Sequence, residues 1–170
     1  MDIQKLVQRA QTSGFYRKLL NWGLNRMIPF NKPHGFEVIE LGPDYLKVSL
    51  PYRKKNFNHI RGIHACALAT VSEFTTGFLL VSKLDSGKYR LIMQRLEMDY
   101  HYQGKMDAVA QFQADDRWLE QHIYFPLKEQ ESVVVICEVK IHDKAGNHLT
   151  TGKVFWQIKE WQKVKTKVAK

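Results

Sequence analysis

Leu46, Val48 and Leu50 alternate with Lys47 and Ser49, the period of two that marks a strand with one buried face. Residues 36–41 form another strand-like stretch just upstream, and Gly42, Pro43 and Asp44 supply the turn between the two. The alternation returns at Leu96, Met98, Tyr100 and Tyr102, whose neighbours Arg95, Glu97, Asp99 and His101 face the other way. After a turn at residues 104–107 come Ala108, Ala110, Phe112 and Ala114. Val133, Val135, Cys137, Val139 and Ile141 then run into a hairpin turn at residues 143–147, and Val154, Trp156 and Ile158 mark the returning strand. Asp115 and Asp116 are placed to cap a short helix through Trp118, Leu119 and Ile123, expected to end before Pro126.

Two segments follow a longer period. Residues 1–28 carry Ile3, Leu6, Val7 and Ala10, then Leu20, Gly23, Leu24 and Met27, at helical spacing. Ser13 and Gly14 break this stretch in two, and Pro29 and Pro33 end it. Lys5, Arg9, Arg17, Lys18 and Arg26 make it basic and amphipathic; a lid or brace against the domain is expected in preference to a helix lying on a membrane. Residues 65–82 are apolar on nearly every side, yet Thr70, Ser72, Glu73, Thr75 and Thr76 fall among them, so a lone membrane span is a poor account. A helix wrapped by a curved sheet is a better one. The order of elements predicts an α+β fold with that helix on one face of an antiparallel sheet.

The 170 residues suffice for one domain, and no repeat or linker divides them. Residues 1–30 are taken as a helical extension, 31–160 as the main domain and 161–170 as a basic tail. The 26 basic and 17 acidic residues give a formal charge of +9, a surface that attracts anions: nucleic acid, anionic lipid or phosphorylated small molecules such as coenzyme A, among which charge alone does not choose. The basic residues form no nucleic-acid-binding motif. Cys66 and Cys137 sit in apolar runs, which argues against a disulfide framework, and no His or Cys spacing suggests a metal site. A cytoplasmic protein with reduced thiols and no transmembrane segment is expected.

Glu73 is the only charged residue between His64 and Lys83. A carboxylate in a buried helix costs several kcal/mol unless it is paired, hydrogen-bonded or neutralised. A desolvated carboxyl makes a general base; a Glu bonded to a neighbouring strand, or facing a subunit boundary, fits the spacing equally well. Gly62, Ile63 and His64 lead into this helix, whose first N–H groups lack partners and carry the positive end of its dipole. Such donors suit the oxyanion of a thioester. Gly62 would allow a ligand close to the backbone, or is an ordinary loop glycine.

The run Asn58-His59-Ile60-Arg61-Gly62-Ile63-His64-Ala65-Cys66-Ala67-Leu68-Ala69-Thr70-Val71-Ser72-Glu73 resembles the central-helix motif of hotdog-fold thioesterases of the phenylacetyl-CoA thioesterase type. The resemblance implies a hotdog fold across residues 36–158 with extra N-terminal helices, and hydrolysis of acyl thioesters. Asn58 matches the family's loop Asn, His64 its helix-start His and Glu73 its catalytic acid. Ala65 and Cys66 replace the glycines that usually follow the His, and Glu stands for the commoner Asp. A homodimer or dimer of dimers is implied, with the site at the subunit interface and the Asn and the acid from opposite chains. The substrate would be an acyl-CoA or acyl carrier protein thioester, with no cofactor beyond the coenzyme A of the substrate.

On the same resemblance Gly62, Ala65, Arg61, Lys54 and Lys55 would bind substrate, the cations and Arg53 meeting coenzyme A phosphates; a solvated charged loop is the alternative. Val71, Phe74, Phe78 and Leu79 would line the acyl site or the core. A hotdog hydratase or dehydratase using His59, or a non-catalytic acyl-CoA-binding protein, are the rival readings. A Cys66–His64 nucleophile pair is disfavoured because residues two apart on a helix point in different directions.

Overall fold

The computed structural model describes residues 3–165. Its strands are β1 (Glu37–Leu41), β2 (Tyr45–Leu50), β3 (Tyr89–Tyr100), β4 (Ala108–Gln113), β5 (Ser132–Asp143) and β6 (His148–Glu160). They form one antiparallel sheet in the order β1-β2-β4-β5-β6-β3. Helix α3 (Ala65–Lys83) packs on one face against strands β2 to β6. It is long and apolar enough to cross a membrane, but the sheet buries most of it.

The alternation read from β2 holds: Leu46, Val48 and Leu50 are buried while Lys47 and Ser49 are half-exposed. Each hydroxyl on α3 is satisfied within the helix. Thr70, Ser72, Thr75 and Thr76 donate to the carbonyls of Cys66, Leu68, Val71 and Ser72, one turn back. The helix ends on Lys83, whose ammonium lies 2.6 Å from Asp44 and 3.0 Å from Asp116.

Two glycines set how closely α3 approaches β6. A Cβ at Gly77 would stand 2.6 Å from the Trp156 ring, and one at Gly152 would stand 2.9 Å from Met98 Sδ and 3.1 Å from Ser72 Oγ. The Trp156 indole also donates to Thr76 Oγ1 at 3.0 Å, so the ring is fixed by contact and by hydrogen bond.

Strand β3 is an edge strand with a bulge. Leu91 and Met93 pair with Ile158 and Trp156, whereas Leu96 and Met98 pair with Val154 and Gly152, the register shifting between Met93 and Arg95. The bulge brings odd-numbered and even-numbered apolar residues onto one face. That face is incompletely covered, with Met93 41% and Tyr100 50% exposed.

The segment after β4 corrects one expectation. Asp115 caps it, accepting from Trp118 N at 2.7 Å, but the helical path continues beyond Pro126. Helix α4 (Asp116–Leu119) passes through a π-helical turn (Glu120–Tyr124) into α5 (Phe125–Glu129). The wider turn precedes Pro126, which falls in the first turn of α5, where its missing N–H leaves no bond unmade.

Helices α1 (Ile3–Thr12) and α2 (Gly14–Met27) bury Leu6, Val7, Ala10, Leu20 and Leu24, with the break at Ser13. Asn21 holds α2 to β1 by donating to Val38 O at 3.0 Å and accepting from Val38 N at 2.8 Å. At the other end Trp161–Lys163 form a 3₁₀ turn, and residues 166–170 of the basic tail lie outside the described residues.

Adding a methyl at Gly77 forces the helix off the indole, and overpacking of this kind costs about 1–3 kcal/mol. Gly77→Ala is therefore expected to lower the urea midpoint without altering the m-value. An unchanged midpoint would mean that α3 does not seat on Trp156 as described.

Candidate active site

Two of the cavities along α3 are lined by residues singled out in the sequence. The first, of about 430 Å³, is lined on α3 by Glu73, Phe74, Gly77 and Phe78 and on the sheet by Leu91 and Trp156. Leu24, Met27, Ile28 and Asn31 from the N-terminal segment close over it. Phe74 and Phe78 of its wall belong to a stack that runs on beyond the cavity: His34 stacks on Phe36 at 5.3 Å, Phe36 on Phe74 at 6.3 Å and Phe74 on Phe78 at 5.8 Å.

Glu73 is half-buried in this wall. Burial pushes its carboxyl above the usual 4.5, and among the described residues no hydrogen bond or nearby cation offsets that push. A carboxyl held this way takes a proton at a pH where an exposed one would not.

The second cavity, of about 340 Å³, opens at the start of α3. Asn58, Ile60, Ala65 and Leu68 line it together with Tyr100 and Gln103. Asn58 Oδ1 accepts from Ile60 N at 3.1 Å and Gly62 N at 2.9 Å, which ties the loop and leaves the amide nitrogen as a donor. Arg61 adopts a left-handed φ of 58° in this turn. A Cβ at Gly62 would stand 2.9 Å from the Gln103 side chain, so Gln103 occupies the space beside this glycine.

His64 caps the helix, its Nδ1 accepting from Cys66 N at 3.0 Å. That bond requires Nδ1 unprotonated. Ala67 N and Leu68 N both donate to the His64 carbonyl, at 2.9 and 3.2 Å. Among the described residues this leaves Ala65 N–H as the donor of the first turn without an acceptor. Tyr100 Oη donates to the Ala65 carbonyl at 3.2 Å, and burial, followed by the nearby Cys66, raises its pKa.

Asn58 and Ala65 thus share a cavity, while Glu73 lies eight residues further along α3, roughly 12 Å by helical rise. The exposed Lys54, Lys55, Arg61 and His59 line neither cavity, and the Arg53 guanidinium donates to the Pro33 carbonyl. Phe74 and Phe78 face the first cavity, whereas Val71 and Leu79 are core. Cys66 is exposed and free; the buried Cys137 thiol is pushed up to about 12 and is inert. Among the described residues no group of three or more His, Cys, Asp or Glu is placed to hold a metal.

The sequence reading missed three contributors. Asn31 brings a polar group to the Glu73 cavity, and Tyr100 walls the helix start. Asn56, only 1% exposed, donates to His34 O at 2.9 Å and Pro51 O at 2.8 Å and accepts from His64 N through its own carbonyl at 2.7 Å. Nothing in the pattern of charges around Asn56 signals that it anchors α3.

Residues 16–158 match a family described as a domain of unknown function, DUF4442. The chain belongs to the DUF4442 family. The match begins inside α2, so the family unit includes most of that helix together with the sheet. No curated protein matches this DUF4442 chain. Among solved structures it is similar to a Pseudomonas aeruginosa protein of unknown function named a probable thioesterase, with TM-score 0.77 and 22% identity over 84% of this chain and 95% of that one. A mutant thioesterase from Staphylococcus aureus gives TM-score 0.63 at 13% identity, over 77% and 98% of the two chains. A thioesterase from Haemophilus influenzae gives 0.63 at 10%, over 81% and 88%. The likeness to these structures establishes the hotdog fold.

Because the native carboxyl of Glu73 titrates above 4.5, the fold loses stability as pH rises from 4.5 through the native value. Glu73→Gln is expected to be at least as stable as the native chain at pH 8, the difference vanishing at about pH 4, by urea denaturation at both pH values. A variant clearly less stable at pH 8 would show that the carboxylate is structurally paired. Asn56→Ala, which orphans buried partners, should lose about 1–3 kcal/mol in the same measurement.

Proposed function

We propose that the protein hydrolyses acyl thioesters, with Glu73 as the base. One observation carries this reading: a carboxyl without a stabilising partner, set in the wall of an apolar cavity of ligand size. Glu73 takes a proton from water as the water oxygen attacks the thioester carbonyl. The oxyanion forms against Ala65 N–H and the positive end of α3. The C–S bond then breaks, and the proton passes to the departing thiolate, giving a free thiol and a carboxylic acid that loses its remaining proton to solvent. Direct attack by Glu73, through an anhydride that water then opens, meets the same geometry.

The separation of Glu73 from Ala65 along one helix supports a site shared between two protomers. The long free edge of β3 suits pairing with a second copy, which would complete its half-covered apolar face. Glu73 of one protomer would then work with the partner's Asn58 and the partner's Ala65. Lys54, Lys55 and Arg61, free in solvent, suit coenzyme A phosphates. A specific observation favours a second reading: with Cys66 N–H held by His64, one backbone donor remains, which suits a protein that binds acyl-CoA without cleaving it.

Free-thiol release from a panel of acyl-CoAs tests the first reading. Glu73→Gln is expected to lower kcat by about 10²–10⁴. The native log(kcat/KM) should rise with pH to an inflection above 4.5. Full activity in the variant would remove Glu73 from the mechanism. Saturable binding without hydrolysis would establish the second reading. Light scattering should give a dimer or larger assembly, and an active monomer would overturn the shared site.

A further inference from the structure

Residues 3–36 contain no aspartate or glutamate and hold six Lys and Arg residues. The same segment carries the four most exposed large apolar side chains among the described residues: Phe15 at 72%, Phe30 at 70%, Met27 at 69% and Trp22 at 65%. Phe15, Lys18, Trp22 and Arg26 follow one another at spacings of three, four and four, so they stand on one face of α2, away from the buried Leu20 and Leu24. Phe30 follows at the end of the helix, just beyond Pro29. Arg9 and Arg17 are engaged within the segment, Arg9 over the Tyr16 ring at 5.2 Å and Arg17 donating to Ala10 O at 3.4 Å. Lys18 and Arg26 remain in solvent beside the aromatic rings.

A second copy of the chain is a poor occupant for this face. Two such surfaces meeting would oppose cation to cation with no acid in either segment. Rings with interleaved Lys and Arg do match the headgroup level of an anionic bilayer, where aromatic side chains settle and cations meet phosphates. We propose that the outer face of α2, extended by Met27 and Phe30, docks on an anionic lipid surface. Asn21 and the buried residues of α1 and α2 brace the pair against the domain, so docking needs no unfolding.

Met27 links this surface to the chemistry, because it is exposed and also lines the Glu73 cavity with Leu24 and Ile28. Docking turns the mouth of that cavity toward the bilayer. The substrate class that follows is a long-chain acyl thioester whose chain partitions into lipid. This last step rests on the thioesterase reading; the docking does not.

The test is co-sedimentation of the full chain with vesicles of phosphatidylglycerol and phosphatidylcholine, or of phosphatidylcholine alone. Binding is expected to the anionic vesicles and to weaken with salt. The double variant Phe15→Ser, Trp22→Ser should lower the partition coefficient about tenfold or more, and Lys18→Ser, Arg26→Ser roughly 30-fold. Both variants should hydrolyse a short, water-soluble acyl-CoA at the native rate. A chain that binds vesicles but hydrolyses nothing would sink the thioesterase reading and leave docking intact. The proposal is overturned by no binding to anionic vesicles, or by binding undiminished in both variants. It is equally overturned if Phe15→Ser, Trp22→Ser reduces the native assembly's mass by light scattering, since the face would then join copies of the chain.

Discussion

Where Gly77 meets the indole of Trp156, α3 comes close enough to the sheet for the indole N–H to reach Thr76 and for Ser72 to sit over Gly152. These contacts fix both the height of the helix and its rotation about its own axis. A rotation of one residue, about 100°, would carry Glu73 out of the cavity wall and bring a neighbouring residue in. The position of the candidate base is therefore decided by two glycines and a tryptophan that have no chemistry of their own.

The two charges of α3 are treated in opposite ways. Lys83, at the end, lies between two aspartates. Glu73, in the middle, receives nothing of the kind, and burial alone acts on it. Both groups lie on the same helix and near the same sheet, so the difference is one of partners rather than of location. The helix satisfies four hydroxyls and a lysine, while its one carboxyl has no bonding partner among the described residues.

Much of this was legible from the chain. The apolar alternation gave the strands, because a half-buried sheet demands it, and Glu73 stood out because no other charge interrupts its segment. Other features were hidden because tertiary partners decide them. The bulge in β3 follows from pairing with β6, so alternation read along β3 alone recovers only the half after Arg95. The helical path through Pro126 depends on a widened turn that composition does not announce. At the helix start, the resemblance to hotdog thioesterases implied chemistry at Asn58 and His64, whereas much of their hydrogen bonding closes the loop and caps the helix. Asn31 and Tyr100 reach the cavities from segments far away in sequence, and no local pattern could connect them.

The bulge also governs how this strand can drift. In a plain strand the apolar set occupies positions of one parity throughout. Here Leu91 and Met93 are odd and Leu96, Met98 and Tyr100 are even, and both sets face α3 only because one extra residue lies between them. Straightening the strand at unchanged length would present Ile92 and Gln94 to the helix and send Leu91 and Met93 outward, whereas loss of Gln94 alone would leave both sets facing α3. A related chain without the bulge is therefore expected to be one residue shorter here with its apolar residues kept, or of equal length with Leu91 and Met93 exchanged.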